Sequence, residues 1–130
     1  MSDPARLLLS LGAVSGGLAV ALGAFAAHGL RSRLGAEQLA TFTTAVTYHF
    51  YHSLALCLVA LAIRYGERAV AWTHPLSLAG LAFVVGLVLF SGSLYLLATG
   101  APRWLGPVTP IGGLALLIGW TLFAIGAWRA

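Results

Sequence analysis

Charged residues divide this chain into four long apolar intervals. No Asp, Glu, Lys or Arg occurs between Arg6 and Arg31, between Glu37 and Arg64, between Arg68 and Arg103, or between Arg103 and Arg129. Each interval exceeds the roughly 20 residues that a helix rising about 1.5 Å per residue needs to cross a hydrocarbon core of about 30 Å. The pattern predicts an all-α membrane protein, an antiparallel four-helix transmembrane bundle forming a single domain over 1–130. Its spans are placed at about 6–28, 36–64, 75–99 and 109–128. The second span, about 42 Å long at that rise, must tilt or project beyond the hydrocarbon.

Small residues supply the packing pattern. Gly12, Gly16, Ala19, Gly23 and Ala26 recur every three or four positions in the first span, a stripe suited to close helix contact. Ala79, Gly86, Ser93 and Gly100 repeat every seven in the third, and Gly112, Gly119 and Gly126 every seven in the fourth, which argues for a mostly left-handed bundle. Gly29 is expected as a helix C-cap, and Thr73-His74-Pro75 and Thr109-Pro110 read as caps followed by a first-turn proline.

Composition agrees with the pattern: 60% of residues are hydrophobic and 8% charged, against about 25% charged in a soluble domain. The net charge of +4 is carried by arginines scattered at span ends, where they read as interfacial anchors and give no reason to expect nucleic acid. Trp72, Trp104, Trp120 and Trp128 read as interfacial belt residues, with Trp120 placed deeper, and Cys57 as packing on an apolar face. The first span imitates a signal peptide ending in Ala24-Phe25-Ala26 but is longer than the usual apolar region, so it is read as a retained helix. Arg6, Arg64, Arg68 and Arg129 fall on one side and Arg31, Arg33 and Arg103 on the other, a bias toward cytoplasmic termini.

Polar residues collect in one half of the bundle. On a helical wheel Thr41, Thr44, Tyr48, Tyr51 and His52 share a sector expected to face protein, with His49 at its edge and Phe42, Val46, Phe50 and Cys57 opposite. Up-and-down connectivity brings His28, Ser91, Ser93, Tyr95, Thr99 and Thr109 to the same half, with Arg31, Arg33 and Arg103 at its rim. The other half, with Ser10, Ser15, Cys57 and Ser77, reads as an apolar plug.

Three readings follow. The polar side chains satisfy one another and specify helix pairing. Alternatively, His28, His49 and His52 ligate haem or a metal, since residues three apart share a helix face and neutral imidazole is a common ligand. In the third, the pocket holds a small amphipathic ligand such as a lipid head group or quinone, served by Thr44, Tyr48, His49, Tyr51, His52, Ser91, Ser93 and Tyr95. The free N–H groups expected at Ile111, Gly112 and Gly113 would assist. Apart from Glu37 at the very start of the second, no span contains a carboxylate for a proton or ion carrier, and no hydrolase or nucleotide-binding motif occurs.

Four blocks carry a family resemblance: Gly23-Ala24-Phe25-Ala26-Ala27-His28-Gly29-Leu30, the stretch from Phe42 to Ala55 containing Tyr48-His49-Phe50-Tyr51-His52, then Ser91-Gly92-Ser93-Leu94-Tyr95, and Thr109-Pro110-Ile111-Gly112-Gly113 with Gly119-Trp120. They occur in order along essentially the whole chain, which resembles the domain of unknown function 423 family of small bacterial inner-membrane proteins, itself similar to the eukaryotic transmembrane protein 256 group. The resemblance implies a four-helix integral membrane protein without an established activity, and it transfers no catalytic residue. Ala26, where the first block often has glycine, is the one departure. The expectation is therefore a non-enzymatic binding or accessory protein with no cofactor, in contact with membrane lipid, a small amphipathic ligand or a partner membrane protein. A His-ligated haem or metal redox protein is the alternative.

Overall fold

The computed structural model describes residues 3–66, 71 and 74–129. Four long helices run α1 (Pro4–Phe25), α2 (Ala36–Tyr65), α3 (Pro75–Ala98) and α4 (Val108–Arg129). A π-helical turn (Ala26–Leu30) extends α1, and a 3₁₀ turn (Arg103–Leu105) precedes α4. All four helices are long and apolar enough to cross a membrane. The roles expected of Arg68, Trp72 and Thr73 lie outside the described residues.

The helix ends follow local chemistry. Asp3 caps α1 by accepting from Ala5 N–H at 3.1 Å, and His74 caps α3 through Nδ1, which accepts from Leu76 N–H at 3.2 Å. Proline follows each cap, where its missing N–H costs nothing. Helix α2 opens with the Gln38 side chain accepting from Gly35 N–H at 3.2 Å. Helix α3 stops at Gly100, whose φ of 101° lies in the left-handed region. There Gly100 N–H donates to Leu97 O at 3.3 Å and Ala101 N–H to Leu96 O at 2.9 Å, the two bonds of a Schellman end. Gly100 is thus a terminator and leaves the packing stripe at Ser93.

Gly29 is not the cap expected of it. The chain continues helically through Leu30, and Gly29 has no left-handed φ. It is small because the Phe25 ring lies where its Cβ would be, 2.6 Å from Phe25 Cε2.

Each helix packs on its neighbour in the chain, α1 on α2, α2 on α3 and α3 on α4, while α1 and α4 share no extensive contact. Helices α2 and α3 are therefore central: 44% of the most apolar window of α2 is buried, against 17% for α1 and for α4. The α1–α2 seam uses the predicted small residues, with Ala19 and Ala26 buried and Gly12 facing Cys57 Sγ and Ser53 O. The α3–α4 seam is a zipper of knobs and glycines running in opposite directions. Gly112 of α4 lies directly on the Phe90 backbone, Phe83 and Leu76 of α3 press onto Gly119 and Gly126, and Leu116 returns the contact at Gly86. Outside this core Val14, Leu18, Val20, Val88, Leu114 and Leu117 are all more than half exposed, a coat suited to lipid.

Candidate functional site

The buried face of α2 differs from the one the wheel predicted. Phe42, Ala45, His49, His52, Ser53, Leu56, Val59 and Ile63 point inward, a three-and-four repeat centred on His49. Phe42, expected opposite the protein-facing sector, is buried with its ring 4.8 Å from that of Tyr95. Thr44 and Tyr51 instead lie on the outside, Tyr51 being 61% exposed. The threonines do not need a protein pocket there. Thr41, Thr43, Thr44 and Thr47 each donate to the carbonyl four residues back, at 2.8 to 3.0 Å, which satisfies the hydroxyl within its own helix.

His49 and His52, one helical turn apart near the middle of α2, serve two different clusters. Around His49, Nε2 meets Ser15 Oγ of α1 at 2.9 Å and Nδ1 meets Tyr95 Oη of α3 at 3.0 Å. Ser53 Oγ contacts Ser15 Oγ at 2.8 Å and His49 O at 2.7 Å. Close by, Ser91 of α3 donates to Ala45 O of α2 at 3.0 Å. One imidazole thus ties α2 to both of its neighbours.

Around His52 the partners belong to α4. Trp120 Nε1–H donates to His52 Nε2 at 3.1 Å, and because an indole N–H only donates, that nitrogen must be bare. The proton sits on Nδ1, which donates to Tyr48 O at 2.8 Å. Phe83 packs edge-on against Trp120, with centroids 5.2 Å apart, and Tyr48 lies against Phe90 at 4.6 Å.

Each cluster floors a groove open to the lipid side. The first, about 460 Å³, runs between α1 and α3 across α2; its walls include Val14, Leu18, Val84 and Val88, and its polar floor is Ser15, His49, Ser91 and Tyr95. The second, about 560 Å³, runs between α2 and α4 and is lined by Tyr48, His52, Phe90, Gly113 and Trp120 among others. The single polar pocket expected in one membrane half is therefore two grooves. Ser15, assigned to the opposite apolar half, reaches the His49 cluster because α1 crosses α2 there.

The remaining predicted residues are dispersed. Ser93 pairs with Thr109 at 2.6 Å, pinning α3 to the start of α4. His28, Arg31, Arg33 and Arg103 are exposed, and the arginines line neither groove. Ile111, Gly112 and Gly113 do not offer free N–H groups. Helix α4 starts at Val108, two residues earlier than the Thr109-Pro110 cap implied, so the carbonyls of Pro107, Val108 and Thr109 lie beneath them. Gly112 is packed on the Phe90 backbone and Ile111 is exposed.

The histidine triad does not assemble: among the described residues no three His, Cys, Asp or Glu side chains come close enough to share an ion. Both ring nitrogens of His49 and of His52 are already engaged, which leaves no lone pair directed at a common point. Ser15, Ser53 and Trp120 are the functional candidates that sequence reasoning passed over. Ser53 stands four residues after His49 on the same face, a signal present in the sequence; Ser15 needed the α1–α2 register.

Residues 22–113 match the model of the family described as Protein of unknown function (DUF423). The UPF0382 inner membrane protein YgdD of Escherichia coli (strain K12) is 40% identical over 95% of this chain and 91% of its own length. The UPF0382 membrane protein YwdK of Bacillus subtilis is 38% identical over 94% of this chain and 96% of its own. The UPF0382 membrane protein SSP2132 of Staphylococcus saprophyticus is 37% identical over 95% and 98%. No solved structure matches the chain significantly.

Proposed function

The chain belongs to the DUF423 family of integral membrane proteins, and on that premise we propose that it binds a small amphipathic molecule from the bilayer without converting it chemically. Like the relative named an inner membrane protein, it resides in the bacterial inner membrane. The observation that carries the proposal is the α1–α3 groove: apolar walls for an alkyl or ring body, and Ser15, His49, Ser91 and Tyr95 gathered at its floor. A cluster that served only to pair helices would gain from being sealed by neighbouring side chains. Here the buried cluster instead lies beneath an open, largely apolar groove whose walls include the exposed Val14, Leu18 and Val88, a surface that an apolar molecule reaches by diffusion in the bilayer.

The bound molecule is expected to survive purification. Protein extracted in mild detergent should release a stoichiometric small molecule detectable by mass spectrometry. His49→Leu should lose it, Trp120→Phe in the other groove should keep it, and the lipid-facing Leu58→Ala should match wild type. Equal retention by wild type and His49→Leu, or loss in Trp120→Phe alone, would remove the α1–α3 groove as the site.

A further inference from the structure

The end of the bundle where α1 begins and α2 closes carries a third groove, about 490 Å³, away from both histidine clusters. Its two helices line it in the same order. On α1 Arg6 stands one turn nearer the helix end than Leu9, and on α2 Arg64 stands one turn nearer the end than Leu61; each pair is three residues apart and so shares a face. Both arginines therefore sit at interfacial level, above apolar walls. Between them the floor is formed by Ala5 and Ala60, both buried, and the trough exists because neither side chain extends beyond a methyl. Leu9 and Leu61 are exposed, so the walls run on into the lipid-facing surface.

The charges in this groove do not cancel. Asp3 is the one acid lining it: Oδ1 accepts from Ala5 N–H at 3.1 Å, and Oδ2 lies 3.8 Å from Arg64 Nη1, the one ion pair among the described residues. At that length, with both side chains exposed, the pair binds Arg64 weakly. Two guanidinium groups against one carboxylate leave one positive charge in excess. An arginine that only anchors its helix at the interface needs no trough beside it. Here two from different helices flank the same trough, and a planar guanidinium fork matches the oxygens of a phosphate.

From this we propose that the α1–α2 groove holds an anionic phospholipid, its phosphodiester between Arg6 and Arg64 and an acyl chain along Leu9 and Leu61. A head with a single negative charge, as in phosphatidylglycerol, cancels the excess. Phosphatidylethanolamine brings its own ammonium and leaves that excess in place. The site shares no lining residue with the α1–α3 groove and does not depend on what that groove binds.

Native mass spectrometry of the protein in detergent, with dioleoylphosphatidylglycerol or dioleoylphosphatidylethanolamine added back, counts the lipids bound and compares two heads on the same tails. Wild type should hold one phosphatidylglycerol with a preference of about five- to tenfold, the weight of one net charge at an interface. Arg6→Gln and Arg64→Gln should each remove most of that preference, whereas Arg129→Gln, which takes the same charge from the same end of the bundle outside the groove, should keep it. Leu61→Trp leaves every charge in place and fills the trough, so it should lose the lipid. All four changes fall on exposed side chains, which keeps the fold intact. Equal binding of the two lipids by wild type, equal losses in Arg129→Gln and Arg6→Gln, or full retention in Leu61→Trp would overturn the site. Glycerophosphoglycerol, the same head without tails, should displace nothing at millimolar concentration; displacement would overturn the lipid and assign the groove to a soluble phosphodiester.

Discussion

Gly112→Ala should be the most damaging single-methyl change in the protein, costing about 3 kcal/mol in an unfolding titration with a denaturing detergent, the upper end for overpacking a rigid contact. A Cβ at Gly112 falls on the Phe90 backbone nitrogen and Cα and on the Leu89 carbonyl carbon, and backbone atoms in the middle of a helix have nowhere to move. The only relief is to push α3 and α4 apart, which unseats Phe83 from Gly119 and Leu76 from Gly126 further along the same seam. Gly92→Ala provides the contrast, because nothing lies within 4 Å of its Cβ position. That change should gain about 0.5 to 1 kcal/mol from helix propensity alone. Equal effects of the two substitutions would mean that the glycine zipper does not hold the α3–α4 pair.

His49→Leu should rank second, at about 2 kcal/mol. It severs the contacts to Ser15 of α1 and Tyr95 of α3 together, and it orphans the Tyr95 hydroxyl in a region where water does not replace the lost partner. Interhelical hydrogen bonds in bilayers average about 0.6 kcal/mol, so the two bonds alone account for roughly half of this; the unpaired hydroxyl supplies the rest. The double change His49→Leu with Tyr95→Phe removes the orphan and should recover about 1 kcal/mol, which the same titration resolves. A double variant less stable than His49→Leu alone would show that the Tyr95 hydroxyl is not left without a partner when His49 is removed.

The contrast between these two sites mirrors what can be read from the chain. Spans and seams are legible because they depend on local chemistry: an apolar interval between charges, or a glycine every seventh residue, has the same meaning in any context. Gly112, Gly119 and Gly126 could be assigned to a seam without knowing that Phe90, Phe83 and Leu76 fill it. The cluster was only half legible. A wheel reading assumes that polar residues face protein in a membrane helix, and α2 departs from that because its threonines bond to their own backbone and can face lipid. Once Thr44 and Tyr51 are discounted, the inward face shifts to Phe42, His49 and Ser53. Ser15 could not be found by sorting residues into membrane halves, since it lies near the middle of its span. Pairing His49 with Ser15, and His52 with Trp120, requires the crossings of α1 and α4 over α2, which no single helix encodes.

The central claim is that one turn of α2 presents two imidazoles to two grooves, His49 tied to Ser15 of α1 and Tyr95 of α3 and His52 held by Trp120 of α4. Nitrogen-15 NMR of histidine-labelled protein in lipid measures this directly, with His49→Gln and His52→Gln assigning the signals. His52 should show a protonated Nδ1 and a bare Nε2, the tautomer that the Tyr48 carbonyl and the Trp120 N–H require, and His49 should hold a single tautomer of its own. A protonated Nε2 at His52, or rapid averaging at either position, would contradict it.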